Sequence, residues 1–399
     1  MTTKYRLAIL TSHPIQYQAP LFCKLAAHPN IDLMVYLYSN YGVTEKIDPG
    51  FGVAYKWDIP LLDGYNYKFL QNYFPRIFAN GSWFLFNPGI IMEIFKEHYD
   101  AVLIHGYVSP TNWLAFLAAG LTGTPIIFRG ETHLLNYRAG WKGVFKKIIL
   151  HQLFKRISSF LTIGTLNGEY YRHYGVSDRK LFLAPYAVDN DYFSKRYQEL
   201  HSRRDRLKKE LGITPEQPVI LYASKMIQRK KAMDLLKAFE KIQERIDVSL
   251  VFVGDGVERP VLEARAKDHN IRNVHFVGFK NQTELPDYYV IADVFVLPST
   301  DEPWGLIINE VMNFNLPIIT TDQVGASPDL VKDGENGFVY PVGDIERLAS
   351  CLLKLIQSPE LMEKMGKFSS EIISKWGYKE DLEGILSALE YVKATKRMN

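Results

Sequence analysis

The chain has 399 residues, 47% hydrophobic and 23% charged, which are globular proportions in a length too great for one ordinary core. No apolar run reaches 18 residues, which argues against a membrane-spanning helix. The polar continuation after MTTKYRLAIL argues for a first core strand rather than a secretory leader. Net charge is +3 but uneven: residues 1–190 carry 18 Lys+Arg against 12 Asp+Glu (+6), the remainder 29 against 32 (−3). The first half is therefore expected either to face something anionic or to show ordinary scatter. Cys23 and Cys351, far apart in helix-like contexts, predict reduced, buried thiols and a cytoplasmic location.

Strand-like apolar runs recur along the chain with helical segments between them. In the first half they are Leu7–Thr11, Leu33–Tyr38, Ala101–Ile104, Pro125–Phe128, Phe160–Ile163 and Leu181–Pro185. In the second half they are Val219–Ala223, Ser249–Val253, Val274–Val277, Val294–Leu297, Ile318–Thr321 and Phe338–Pro341. Short, uniformly apolar strands alternating with helices predict parallel sheets covered on both faces. Two such sets predict an α/β chain of two doubly wound domains, residues 1–190 and 191–376, ahead of a last segment, 377–399. Ligands of such sheets sit beyond the carboxyl ends of the strands, so the loops there are where site residues belong.

The first of these loops, Ser12-His13-Pro14-Ile15-Gln16-Tyr17-Gln18, has no glycine and is not a dinucleotide-type phosphate turn. His13 and Gln16 could hold an acceptor or a phosphate; a polar loop capping the next helix fits equally well. Residues 40–90 lack a clear period and are dense in aromatics, among them Phe51, Tyr67, Tyr73, Phe78 and Trp83, which suits acceptor binding or packing under a long loop. Arg129-Gly130-Glu131-Thr132-His133 puts a cation, a carboxylate and an imidazole at one strand end, a grouping that points to function. Arg138 to Arg156 has six basic residues, no acid and interspersed Trp141, Phe145 and Ile148. Such a helix lies either on an anionic membrane surface or, solvated, with its apolar face in the core.

Asp189-Asn190-Asp191 superficially matches a metal-binding Asp-x-Asp, but a crossing loop with a turn at Asn190 accounts for it better. Residues 195–216 read as helical. Lys225 and Lys230 follow a strand and precede a helix, where two cations suit a diphosphate. Gly278-Phe279, after another strand, could meet a nucleobase through the backbone. The densest stretch is LPSTDEPWGLIINEVMNFNLPIITTDQVGASPDL, 297–330. Its pattern predicts strand, turn, a helix over Trp304–Asn313 opened by Gly305, then a second strand and Gly325. With both carboxylates helical, Glu302 and Glu310 would lie roughly 80° apart. The amides of Gly305, Leu306 and Ile307 would be the unpaired donors of the helix N-terminus. Hydroxyls on the carboxylates and phosphate on the amides suit that arrangement. A final helix over Tyr378–Lys393 follows Trp376-Gly377, which reads as a hinge, and turns Leu382, Ile385, Leu386, Leu389 and Val392 to one side.

SKMIQRKK, VGDGVERPVLE, VHFVGF, Glu302 with Glu310, and GASPDLVKDGENGFVYPVGD together resemble the retaining glycosyltransferases of family 4, among the glycosyl transferases group 1. The resemblance covers roughly residues 218–376; the first half shares it more loosely, through strand order, Thr162–Gly164 and the AVDNDYF crossing. It implies the GT-B fold, two facing Rossmann-like domains, the first for the acceptor and the second for the donor, with residues 377–399 packing back on the first. It implies transfer of a sugar, with retention, from a nucleotide-diphosphate sugar to a glycan or lipid-linked acceptor in bacterial surface polysaccharide or glycolipid synthesis. Lys225 and Lys230 would neutralise the diphosphate, Glu310 take the ribose and Glu302 the transferred sugar, with no metal or other cofactor. The family's histidine after the fourth strand falls on Glu131, with His133 two residues on, so both are candidates for the sugar. The expected setting is cytoplasmic, with residues 138–156 able to meet the inner face of the membrane, and no nucleic-acid partner. Phosphorolysis, sugar-nucleotide epimerisation or catalytically inactive nucleotide or glycan binding are the competing readings.

Overall fold

The apolar runs pair in the order that a doubly wound sheet requires. A computed structural model describes residues 4–48, 50–74, 76–77, 83–135 and 140–398. Phe78 of the aromatic stretch and Arg138 of the basic run lie outside them. Contacts divide the chain into two units. One holds the described residues of Met1–Lys46, Tyr55–Tyr186 and Tyr378–Asn399; the other holds those of Ile47–Ala54 and Ala187–Gly377.

In the first unit the strands are β1 (Tyr5–Thr11), β2 (Ile31–Leu37), β3 (Tyr67–Phe69), β4 (Ala101–His105), β5 (Ile126–Arg129), β6 (Ser159–Thr162) and β7 (Leu181–Leu183). They form one parallel sheet in the order β7-β6-β5-β4-β1-β2-β3. Within this sheet β3 is new relative to the sequence reading: its three residues are exposed, so no apolar run announced it. The second unit has β8 (Val219–Ala223), β9 (Ser249–Val253), β10 (Val274–Gly278), β11 (Val294–Leu297), β12 (Ile318–Thr321) and β13 (Gly337–Tyr340). Their order is β10-β9-β8-β11-β12-β13, again all parallel.

Central strands such as β8, β9, β11 and β12 are buried at every position, because helices cover both faces of the sheet. Fully burying one Val, Leu, Ile or Phe is worth about 1.5–3 kcal/mol, so these strands anchor their units. The strand order reverses between β1 and β4 in one sheet and between β8 and β11 in the other. Those strands pair directly, Leu7 with Ala101 and Ile220 with Val294, so the loops beyond them open side by side.

Two local expectations are corrected. Asp189-Asn190-Asp191 is not a turn: Asp189 caps the helix Asn190–His201, its carboxylate accepting from the Tyr192 amide at 3.0 Å. A second helix, Arg204–Glu210, follows it. Cys351 is buried, but Cys23 is only half-buried, its thiol 3.0 Å from the Asp63 carbonyl.

The final helix runs Tyr378–Met398 and packs on β6 and β7. Its buried side is Asp381, Gly384, Ile385, Ala388, Leu389 and Val392, while Leu382 and Leu386 are half-buried. A Cβ at Gly384 would stand 2.0 Å from the Leu183 carbonyl oxygen, so only glycine lets the helix sit flush on β7. Among the described residues no helix is long and apolar enough to cross a membrane.

Candidate functional site

The stretch 297–330 takes a different path from the one its pattern suggested. Its helix starts at Ile307, not Trp304, and ends at Met312. Two features delay it. Gly305 has φ +95°, outside the helical region and strained for any side chain. Upstream, Glu302 bridges to Val324, and the amides of Gly325 and Ala326 donate to the carbonyls of Glu302 and Trp304 at 2.9 and 3.0 Å. Residues 302–304 are thus an extended rung, and a Cβ at Gly325 would meet the Pro303 carbonyl at 2.0 Å. Glu310 consequently sits in the first helical turn rather than two turns in, with the Gly305, Leu306 and Ile307 amides ahead of it.

Glu310 is 1% exposed and its carboxylate is held from two sides. Tyr289 donates to one oxygen at 2.5 Å and Gln282 to the other at 3.4 Å. Trp304 donates to Asn309 at 2.9 Å and stacks on Trp376, centroids 5.6 Å apart, which fixes the rung against the end of the unit.

Across the switch point, the loop after β8 brings its lysines to this rung. Lys230 is buried and ion-paired with the Glu302 carboxylate, and Arg229 lies 3.5 Å from the same oxygen. Burial lowers the Lys230 pKa although Glu302 opposes the shift. The backbones are tied as well: Thr300 donates to the Arg229 carbonyl at 2.8 Å. Lys225 turns elsewhere, to a carboxylate the sequence did not single out. Its Nζ lies 2.8 and 2.9 Å from the two oxygens of Asp48. It also stands 4.6 Å from the Phe51 ring, which meets Phe279 edge-on at 4.8 Å. Gly278, at φ +78°, ends β10 beside this aromatic pair. The structure therefore groups Lys230 with Glu302, and Lys225 with Phe279.

The first unit has its own pocket, about 240 Å³, beyond β1, β4 and β5. Gln18, His105, Arg129, Glu131 and Tyr186 line it; His13, Gln16 and His133 do not. Tyr186 donates to Glu131 at 2.6 Å. His13 bonds Ser12 at 2.8 Å and packs edge-on against Tyr41, and burial brings its pKa down to about 4. Burial, helped by the Arg129 charge, brings His105 down to about 3, a neutral imidazole whose Nδ1 accepts from Gln18 at 3.2 Å. Arg129 is not the open cation its strand-end position suggested. It is 5% exposed and forks onto Asp381 at 3.1 and 3.0 Å.

The helix of the basic run spans Trp141–Lys155. Trp141, Phe145 and Ile148 are 77%, 62% and 57% exposed, while Leu150 and Phe154 are buried. The core thus takes only part of its apolar surface.

Asp48, Gln282, Tyr289, His105 and Tyr186 were missed from sequence. His105 could have been found, since it directly follows the apolar run Ala101–Ile104. Asp48 carried no signal, being 177 positions from its partner.

Residues 203–371 match the family model described as Glycosyl transferases group 1. N-acetyl-alpha-D-glucosaminyl L-malate synthase of Bacillus anthracis is 30% identical over 179 residues, 44% of this chain and 46% of that protein. Sulfoquinovosyl transferase SQD2 of Arabidopsis thaliana is 30% identical over 303 residues, 73% of this chain and 57% of that one. The chain spans about half the length of these relatives. The structure of Anabaena Alr3699/HepE in complex with UDP matches with a TM-score of 0.73 at 16% identity, covering 97% of this chain and 100% of that one. At that identity the likeness speaks for fold, and with both parallel sheets present it bears out the GT-B class.

Proposed function

We propose that the chain, whose residues 203–371 match the family model described as Glycosyl transferases group 1, is a retaining, metal-independent glycosyltransferase using a nucleotide-diphosphate sugar. One observation carries this reading: the Lys230–Glu302 pair at the switch point of the second sheet, with Lys225 on the same loop. The diphosphate takes its countercharge from Lys225 and Lys230 and from the amides at Gly305, Leu306 and Ile307. Glu302 holds hydroxyls of the transferred sugar, Glu310 those of the ribose, and Gly278 and Phe279 border the base. The anomeric carbon–oxygen bond to the diphosphate breaks as the acceptor oxygen bonds that carbon on the same face. The acceptor proton leaves with the diphosphate oxygen. Because Anabaena Alr3699/HepE was solved with UDP, a UDP-sugar is the first donor to test.

The first-unit pocket is assigned to the acceptor, with Glu131, which lines it, as its candidate for sugar contact, while His133 lies outside its lining. The exposed apolar and basic face of Trp141–Lys155 supports a lipid-linked acceptor met at an anionic membrane. Surface polysaccharide or glycolipid synthesis on the inner face of the cytoplasmic membrane is the corresponding role.

A panel of UDP-, GDP- and ADP-sugars tests the reading through thermal stabilisation and slow donor hydrolysis. One donor should both stabilise the protein and release its sugar. Stabilisation with no sugar released by any donor would mark a binding protein instead.

A further inference from the structure

The helix Pro110–Thr122 is apolar on two sides. Ala115, Phe116 and Ala119 are buried, yet Trp113, Leu117 and Leu121 are 40%, 57% and 68% exposed. Four-residue spacing places those three on one stripe. Contiguous exposed apolar surface of this kind marks an interaction site. The stripe lines a groove of about 980 Å³ lying wholly within the first unit, to which Val392 of the final helix also contributes. That volume is near the top of the range for small-ligand sites, about 300–1,000 Å³.

The rim decides the occupant. Arg156 and Lys396 line the groove, and among the described residues no Asp or Glu does. Through Leu153 and Arg156 the groove is continuous with the end of the Trp141–Lys155 helix, whose exposed apolar residues stand among Lys146 and Lys147. A ligand must therefore be apolar along its length and negative at one end. We propose that this groove takes an acyl chain of an anionic phospholipid, with the headgroup against Arg156 and Lys396. The site is separate from the donor site and shares with the function proposed above only its anionic bilayer.

Monomeric dihexanoyl phosphatidylglycerol, below its micelle concentration, is titrated into the full chain by calorimetry, with dihexanoyl phosphatidylcholine as the zwitterionic arm. Saturable binding of the anionic lipid, at least tenfold tighter than the zwitterionic one, is expected. Leu117→Glu with Leu121→Glu, both at exposed positions, should weaken it at least tenfold without changing the melting temperature. Arg156→Glu should erase the preference for the anionic headgroup. No binding by the wild type, equal binding by the paired variant, or self-association abolished by that variant in place of lipid binding would each overturn the proposal. No nucleotide sugar is present, so failure of donor hydrolysis would bear on the transferase reading alone.

Discussion

Lys225 and Asp48 form a two-pronged ion pair, 2.8 and 2.9 Å, between a residue beyond β8 and one far upstream in the sequence. Asp48 is 6% exposed and also accepts from the amides of Gly50 and Phe51 at 2.7 and 2.9 Å, so its carboxylate is firmly placed. A diphosphate and this carboxylate would compete for one ammonium. Asp48→Asn should therefore tighten UDP binding about tenfold, or about 1.4 kcal/mol. Calorimetry with UDP checks it; weaker binding by the variant would show that Asp48 prepares Lys225 rather than competing for it.

Lys230→Ala removes one partner of a buried pair and leaves the Glu302 charge behind. Removing one member of a buried pair costs about 3–5 kcal/mol, so a lower denaturation midpoint is expected alongside lost transfer. Transfer should fall by about 10² or more, the scale of losing an electrostatic stabiliser. The same loss is expected of Glu310→Ala, and assays well below each variant's midpoint separate the two effects. Near-full activity in both variants would remove this site from the reaction.

Asp381→Ala strands a buried guanidinium at Arg129, and the cost should again be about 3–5 kcal/mol, read by urea denaturation. Replacing both, Arg129→Met with Asp381→Leu, should recover most of that loss. A double variant no better than the single would mean that the fork is worth more than the burial it imposes.

His13 and His105 set an acid limit. Their folded pKa values, about 4 and about 3, lie below the ordinary 6.5. Each contributes stability that is complete above about 6.5 and is lost as pH falls toward its folded value, because only the unfolded chain takes up the proton in that window. His105→Gln should flatten the decline in denaturation midpoint between pH 6.5 and about 4. An unchanged slope would sink the account.

Co-sedimentation with phosphatidylglycerol vesicles should fall several-fold in the Lys146→Glu, Lys147→Glu double variant, and recede with added salt in the wild type. Undiminished sedimentation would leave the exposed Trp141, Phe145 and Ile148 to some other partner.

The sheets were legible because buried parallel strands must be apolar throughout, and every apolar run singled out became a strand. Strand-end loops then localised Lys225, Lys230 and Glu302 with no further information. What failed was local geometry set from afar. The helix expected at Trp304 is held back by pairing with Val324–Ala326, which helical periodicity cannot register. Tyr289 and Gln282 around Glu310 were equally hidden, since each reads on its own as an ordinary helix or loop residue. Arg129 looked available because its partner lies 252 positions on.

That last distance bears on how the protein is made. The first unit holds the described residues of Met1–Lys46 and Tyr55–Tyr186 together with the helix from Tyr378, and the second unit, Ile47–Ala54 apart, is translated between Tyr186 and that helix. A ribosome releases the opening sheet early, yet Arg129 lacks its forked Asp381 partner until the helix from Tyr378 emerges. The unit begun first is completed last, and a fragment ending at Tyr186 should need the last helix supplied in trans to fold.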